Sequence, residues 1–254
     1  MKINVLLSPH NVDELYFTGK TVVVIDVLRA STVIVTAVCN GAKEVIPVGS
    51  VEFGMKVSGN AFGGQTLIGG ERNMHKIDGF NLGNSPLEYN SETITGKSII
   101  LYTTNGSKAI VKAKFAEDLF ICCFNNLGGV AKHLVELDKD FEILCAGSDG
   151  MFNLEDTVCA GKLLTEIENL NKDVELTDAA KASIVLSKSF GKNILKMLSE
   201  CEHGKRLIEN EYGDDLKVAA QKDIFQCVPY FDSGVIKVDK VVIEETKPTE
   251  NKTK

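Results

Sequence analysis

Apolar runs of strand length and of helix length alternate along most of this chain, separated by polar and glycine-containing turns. Residues Thr21 to Ile25 are rich in β-branched side chains, which is the pattern of a strand buried on both faces of a parallel sheet. An apolar stretch from Val33 to Val38 follows and predicts a helix packed on that sheet. This alternation is typical of an α/β protein with a largely parallel or mixed sheet.

The same reasoning places the remaining elements. Predicted strands lie at 1–7, 21–25, 44–48, within 63–73, and at 98–102, 118–124, 141–146, 225–228 and 235–243. Predicted helices follow residue 30 and lie at 51–59, 108–115, up to 137, and at 158–170, 178–190, 193–201, 204–211 and up to 222. We expect one α/β domain over 1–243, with subdomains of about 1–94 and 95–243 as the alternative, and a disordered charged tail at 244–254.

A repeated turn supports the two-subdomain alternative. Thr18-Gly19-Lys20 recurs as Thr95-Gly96-Lys97, and each copy precedes an apolar strand, a polar turn and a helix. Duplication of a βα unit explains this similarity, but strand-turn-helix is common enough for chance to explain it as well.

Composition and charge limit the classes of binding partner and the cellular compartment that we expect. A net charge of −7 and a pI near 5.2 argue against nucleic acids and anionic membranes as partners. No apolar run reaches the roughly 18 residues of a membrane helix, and the first one is too short for a signal peptide. We therefore expect a cytoplasmic protein.

The seven cysteines form no Cys-x-x-Cys pair, and most of them lie in apolar runs. This favours reduced, packed thiols over disulfides or a zinc site. A catalytic cysteine stays an alternative, because the fold could bring a histidine to one of them.

Acidic residues stand where predicted strands end or helices begin. Asp26 ends the strand at 21–25, Glu71 follows another strand, and Glu155 and Asp156 precede the helix at 158–170. Such carboxylates can hold Mg²⁺, which prefers a few of them and keeps water for substrate to replace. In a plainer interpretation, Asp26 caps a helix and pairs with Arg29 at the surface.

Only three of the 28 basic residues are arginines: Arg29, Arg72 and Arg206. All lie beside glycine or in strand-to-helix turns, where a guanidinium can bind phosphate, sulfonate or carboxylate with two hydrogen bonds. Genome composition explains the scarcity of arginine but not this placement.

The turn at 103–107 completes the candidate site. Its members Thr103, Thr104, Asn105, Gly106 and Ser107 can present hydroxyl and N–H groups to an anion where a helix begins. Acids, arginines and this turn are the parts needed for metal-assisted attack of water on a phosphate monoester. The chain lacks an Asp-x-Asp after its strand at 21–25, where Leu28 stands, and it lacks a P-loop.

Several motifs, in order over residues 1–240, resemble the 2-phosphosulfolactate phosphatase family. They are Ile25–Thr32 (IDVLRAST), Gly70–Arg72 (GER), Gly79–Pro86 (GFNLGNSP), Thr103–Ser107 (TTNGS), Cys145–Gly147 (CAG) with Phe152–Asp156 (FNLED), His203-Gly204 with Asp215, and Val228-Pro229.

The resemblance implies a three-layer α/β/α fold and a Mg²⁺-dependent phosphatase that converts 2-phospho-3-sulfolactate to 3-sulfolactate, a step toward coenzyme M. It carries over, by matching positions, to Asp26, Arg29, Glu71, Arg72, Asn84, Ser85, Thr104, Asn105, Gly106, Glu155 and Asp156.

We assign catalysis to Asp26, Arg29, Glu71 and Arg72, and metal binding to Asp26, Glu155 and Asp156. Substrate binding is assigned to Asn84, Ser85, Arg206 and the turn at 103–107. The partner is a small anion with phosphate and sulfonate groups, and common behaviour of such enzymes suggests a homodimer. Three other hypotheses remain: a non-catalytic protein that binds anionic metabolites, a phosphatase for another 2-phospho acid, and a cysteine-based hydrolase.

Overall fold

The computed structural model describes residues 1–10, 12–60 and 65–239, with only the backbone for 58–60. The predicted tail at 244–254 lies outside the described residues, as do the ends of two predicted strands at 63–64 and 240–243. None of the described helices is long and apolar enough to cross a membrane.

The described residues form eleven strands, numbered in chain order. They are β1 (Lys2–Leu6), β2 (Thr21–Ile25), β3 (Glu44–Pro47), β4 (Thr66–Arg72), β5 (His75–Lys76), β6 (Ser98–Tyr102), β7 (Asp118–Cys122), β8 (Phe141–Cys145), β9 (Glu175–Leu176), β10 (Tyr230–Asp232) and β11 (Val235–Lys237).

Ten α-helices lie between these strands in the described ranges. They are α1 (Ala30–Cys39), α2 (Val51–Asn60), α3 (Ser91–Ile94), α4 (Gly106–Lys112), α5 (Leu127–Leu137), α6 (Leu154–Leu170), α7 (Asp178–Phe190), α8 (Ile194–Glu200), α9 (Glu202–Glu209) and α10 (Gly213–Ala219).

All strands belong to one sheet in the order β5-β4-β6-β3-β11-β10-β7-β2-β8-β1-β9. Strands β4, β6 and β3 form one parallel block, and β7, β2, β8, β1 and β9 form a second. The antiparallel hairpin of β10 and β11 joins the blocks by pairing with β7 on one side and β3 on the other. Each block contains strands from both sides of residue 94, so that boundary does not separate them in space.

Helices cover both faces of this sheet, as the predicted three-layer α/β/α fold requires. Val23 and Ile25 of β2 pack in a core with residues of α5, α6 and α7. Val22 and Val24 pack in a second core with α1, α4 and strands of the other block. Because both faces are apolar, the unbroken hydrophobic run of β2 is explained by its burial.

Several predicted elements differ from the structure at their boundaries or in kind; the helix predicted at 204–211, for example, spans Glu202–Glu209. The predicted helix 158–170 begins at Leu154, the helix 108–115 spans Gly106–Lys112, and the last helix ends at Ala219. The predicted strand 225–228 is absent from the described elements. Its backbone pairs instead with Asn125 and Asn126: the Phe225 N–H donates to the Asn125 carbonyl, and the Asn126 amide donates to the Cys227 carbonyl.

The prediction that all seven cysteines are reduced is wrong for two of them. Cys39 and Cys227 form a disulfide across 188 residues of sequence. Their spacing gives no sign of this, because only the fold brings the end of α1 beside the segment before β10. The other five cysteines are buried free thiols, as predicted.

Candidate active site

A small polar cavity of about 70 Å³ opens where the turns after β2, β4, β6 and β8 meet helix α9. The carboxyl ends of strands are the usual ligand-binding edge of α/β sheets. The lining residues are Asp26, Leu28, Arg29, Glu71, Asn73, Met74, Asn84, Thr103, Thr104, Asn105, Ser148, Asp149, His203 and Arg206.

The turn after β2 places Asp26 at the cavity and holds it by backbone hydrogen bonds. The Asp26 N–H donates to Ser31 Oγ at 2.9 Å, which links the strand end to α1. The N–H groups of Val27 and Gly147 donate to Asp156 Oδ1 and Oδ2, at 2.9 and 3.1 Å. Asp156 therefore uses both oxygens to tie the turn after β2 to the turn after β8.

The turn after β6 has the same design, with hydroxyl-bearing residues in place of the acid. The Thr103 N–H donates to Ser107 Oγ, and the Ser107 N–H donates to Thr103 Oγ1, both at 2.8 Å. A β-carbon at Gly106 would overlap the Asp26 carboxylate, so glycine is what lets the two turns pack together. Residues 103–105 consequently line the same cavity as Asp26.

Glu71 joins two further loops at the cavity wall. Its carboxylate accepts the Thr104 N–H and the Met74 N–H, each at 2.8 Å. The side chain is buried, so these hydrogen bonds fix the loop after β4 against the turn after β6.

The Arg29 guanidinium is held by three partners. It forms a buried ion pair with Asp215 at 2.8 Å, donates to the Met74 carbonyl at 2.9 Å, and lies 4.4 Å from the centre of the Tyr212 ring. Asp215 also accepts the Ser85 hydroxyl at 2.5 Å. Arg29 therefore reaches the cavity with its charge already balanced, contrary to the interpretation in which it pairs with Asp26 at the surface.

The carboxylates around Asp26 are short of positive charge. Burial raises the pKa of Asp26 to about 6, with Glu155 and Glu71 adding to the rise and His203 opposing it. Burial and the charges of Asp26 and Glu155 also raise the pKa of Asp156. These acids resist losing their protons because no nearby cation compensates them fully.

Three buried atoms of the site have no hydrogen-bond partner in the described structure: Asn84 Oδ1, Glu155 Oε1 and His203 Nδ1. The last two lie 3.5 Å apart without hydrogen-bond geometry. Unpaired buried polar atoms are costly and are found where a ligand supplies the missing partner.

A Mg²⁺ ion fits part of the predicted ligand set. Asp156 already accepts one backbone N–H on each oxygen, whereas the buried Glu155 Oε1 has no hydrogen-bond partner and Asp26 has no cation paired to it among the described residues. No cluster of three or more Asp, Glu, His or Cys in the described ranges could hold an ion alone. Mg²⁺ needs only one or two carboxylates, with water and substrate completing its shell.

Other predicted residues lie at different distances from the cavity. Arg206 lines it, whereas Ser85, Gly106 and Ser107 support its walls. Arg72 is exposed and does not line it, with its guanidinium 5.9 Å from the ring centre of Tyr102. Successive residues of a strand point to opposite faces, so burial of Glu71 turns Arg72 away.

The site assignment drawn from the sequence omitted His203, Ser148 and Asp149, which the structure places at the cavity. His203 lies in a polar turn three residues before Arg206, and that neighbourhood was the available signal. Ser148 and Asp149 follow β8 directly, where a strand-end rule would have included them.

The free cysteines do not fit a cysteine-based hydrolase. None of them is among the residues described as lining the cavity. Burial raises the pKa of Cys123 to about 12 and that of Cys145 well above its usual value, which disfavours the reactive thiolate.

The family model for 2-phosphosulpholactate phosphatase matches residues 6–234. A protein of Caldanaerobacter subterraneus subsp. tengcongensis named "Probable 2-phosphosulfolactate phosphatase" is 42% identical over 87% of this chain and 91% of its own length. Proteins of the same name from Clostridium acetobutylicum and Clostridium perfringens are 38% and 39% identical, each over 93% of this chain, and over 100% and 96% of their own lengths.

Proposed function

This chain belongs to the 2-phosphosulfolactate phosphatase family and is a phosphoric monoester hydrolase, and we propose that it hydrolyses 2-phospho-3-sulfolactate to 3-sulfolactate and phosphate in a Mg²⁺-dependent reaction. The observation that carries the metal dependence is that Asp26 is buried without a paired cation among the described residues, while the nearby Glu155 Oε1 has no hydrogen-bond partner. A family of phosphatases implies a small-molecule substrate, and this cavity is lined by polar groups that can bind one.

In this proposal, some residues of the cavity bind the phosphate, and others fix the loops that form the cavity walls. Residues 103–105 and the imidazole of His203 line the cavity together with Asp26 and can donate hydrogen bonds to phosphoryl oxygens. Glu71 and the Arg29–Asp215 pair fix the loops around them. Preorganised donors of this kind stabilise the charge that develops during phosphoryl transfer.

Asp26 and Glu155 are the proposed Mg²⁺ ligands. Mg²⁺ supplies neutralisation of the phosphoryl charge when bound. A bound cation would also offset the burial, and the smaller repulsion by Glu155 and Glu71, that raise the pKa of Asp26.

Release of phosphate from 2-phosphosulfolactate and from 2-phospholactate, each with Mg²⁺ or with EDTA, tests this function. We expect release that requires Mg²⁺ and prefers the sulfonate. An equal rate in EDTA would remove the metal from the proposal, and equal rates on the two esters would favour a phosphatase for another 2-phospho acid. Release from neither ester by folded protein would favour the binding-protein hypothesis.

The cellular setting belongs to the same proposal. We propose that the product serves coenzyme M biosynthesis, as the resemblance in the sequence implies, and that the protein is cytoplasmic, as its sequence leads us to expect. The homodimer stays a prediction from the sequence.

A further inference from the structure

The three arginines differ in how much positive charge each can offer to a ligand. Arg29 is buried against Asp215 and bonded to the Met74 carbonyl, so its charge and part of its donor set are already used. A second anion of the substrate would compete with Asp215 for it. Arg29 is therefore poorly placed to bind a group by which one phosphate ester differs from another.

Arg206 lines the same cavity without that restraint. It stands on α9, three residues after His203, so both side chains lie on one face of the helix and reach the cavity. In the described part of the chain its guanidinium has no ion pair and no hydrogen bond. Arg206 is exposed, whereas Asp26 is buried, so Arg206 lies on the solvent side of the cavity, at its mouth.

Two other cations lie outside the cavity. Arg72 and Lys108 stand on either side of Tyr102, each 5.9 Å from its ring centre. Lys108 lines a neighbouring cavity that shares Thr104, Asn105 and Asp149 with the first. It is the competing candidate for a second anion.

We propose that Arg206 determines specificity by binding the sulfonate of the substrate, an inference that rests on the proposed function. In 2-phospho-3-sulfolactate the carboxylate and the phosphate-bearing oxygen share one carbon, and the sulfonate is one carbon further away. With the phosphate beside residues 103–105, the sulfonate therefore extends toward the mouth of the cavity, where Arg206 lies. A guanidinium fork matches sulfonate oxygens with two hydrogen bonds.

The test compares 2-phosphosulfolactate with 2-phospholactate, which lacks the sulfonate, in wild type and in Arg206→Gln. We expect KM for the sulfonate substrate to rise about tenfold or more, the loss typical of a hydrogen bond to a charged group. We expect kcat to change little and KM for 2-phospholactate to stay unchanged. Arg206→Lys keeps the charge but not the fork and should fall between the two.

Lys205→Gln is the matched control, because it removes the same charge from the neighbouring residue of α9, which does not line the cavity. It should behave as wild type. Equal rises of KM on both substrates in Arg206→Gln would overturn the proposal, and so would a sulfonate-specific rise in Lys108→Gln instead.

Calorimetric binding of 3-sulfolactate separates this inference from the proposed function. If wild-type protein hydrolyses neither ester, the phosphatase proposal fails, but weaker binding of 3-sulfolactate to Arg206→Gln than to wild type would still support the sulfonate site. Equal binding by the two proteins, or no binding by wild type, would overturn it.

Discussion

Strand β8 has a cluster of polar side chains near each end, and the two clusters differ in how their carboxylates are compensated. At the amino end, Glu142 accepts the Tyr16 hydroxyl at 2.7 Å, the Lys20 ammonium at 2.6 Å and the Asn4 amide at 3.1 Å. At the carboxyl end, Asp26 lines the cavity with Glu155 and Asp156 close to it, and burial raises the pKa of both Asp26 and Asp156.

This difference distinguishes carboxylates whose hydrogen bonds stabilise the fold from carboxylates that we expect to bind a ligand. Glu142 has a cation and two further donors beside its carboxylate, and such charge-assisted hydrogen bonds stabilise the fold. Asp26 is buried without a paired cation among the described residues, and burial raises its pKa, so its charge costs free energy that a bound positive ion would offset. The same chemical group therefore adds to stability at one end of β8 and reduces it at the other.

Of the predicted changes, the amide substitution Asp26→Asn, in the cluster at the carboxyl end of β8, should have the largest effect. We expect kcat/KM for phosphate release to fall by more than about 100-fold, because even outer partners of metal ligands cost 10- to 100-fold. The unfolding free energy in EDTA should not decrease, since a buried, poorly compensated charge is removed. Phosphate release and urea denaturation measure the two quantities; activity within the range of wild type would remove Asp26 from the site.

The next largest effect should be on how the unfolding free energy depends on pH. The pKa of Asp26 is about 6 in the folded protein against an ordinary 3.8, so the folded state binds more protons between these values. The unfolding free energy of metal-free protein should therefore fall as pH rises through this window, by about 3 kcal/mol from Asp26.

Urea denaturation in EDTA at about pH 4 and pH 7 checks this, with Asp26→Asn as the control that lacks the effect of that residue. Asp156 adds a contribution of the same sign in both proteins, because burial raises its pKa as well. Identical pH dependence in wild type and variant would contradict the assignment to Asp26.

The smallest effect belongs to the amino-end cluster. Glu142→Gln keeps the shape of the side chain but removes the charge that binds Lys20, and should lower the unfolding free energy by about 1 kcal/mol because the pair is partly exposed. Phosphate release should stay at the wild-type rate. A loss of activity like that of Asp26→Asn would erase the distinction between the two ends of β8.

Much of the fold could be predicted because buried strands and helices contain continuous or periodic runs of apolar side chains. The strand Thr21–Ile25, the strand Ser98–Tyr102 and the helix Asp178–Phe190 have the predicted bounds. The two-residue strands β5 and β9 were missed, since so short a run carries no periodic pattern. The helix α6 begins earlier than predicted because its first turn contains the buried Glu155 and Asp156, which look like loop residues in sequence.

The candidate site was predictable where chemistry follows strand ends and unpredictable where it depends on long-range pairing. Asp26 and residues 103–105 reach the cavity as the strand-end rule predicts. The partner of Arg29 lies 186 residues away at Asp215, and no local pattern identifies it. The pair also changes what Arg29 can do, from a free cation to a fixed part of the wall.

The hairpin of β10 and β11 has a consequence for synthesis of the protein. Among the described strands, the two parallel blocks share backbone pairing only through residues 230–237, which follow every other described strand and helix. Those other elements therefore leave the ribosome before the sheet can become continuous, and the nascent protein must keep two unpaired strand edges, β3 and β7, from joining other chains. A product truncated before residue 230 would carry all the residues that line the cavity and still lack the hairpin that joins the two blocks.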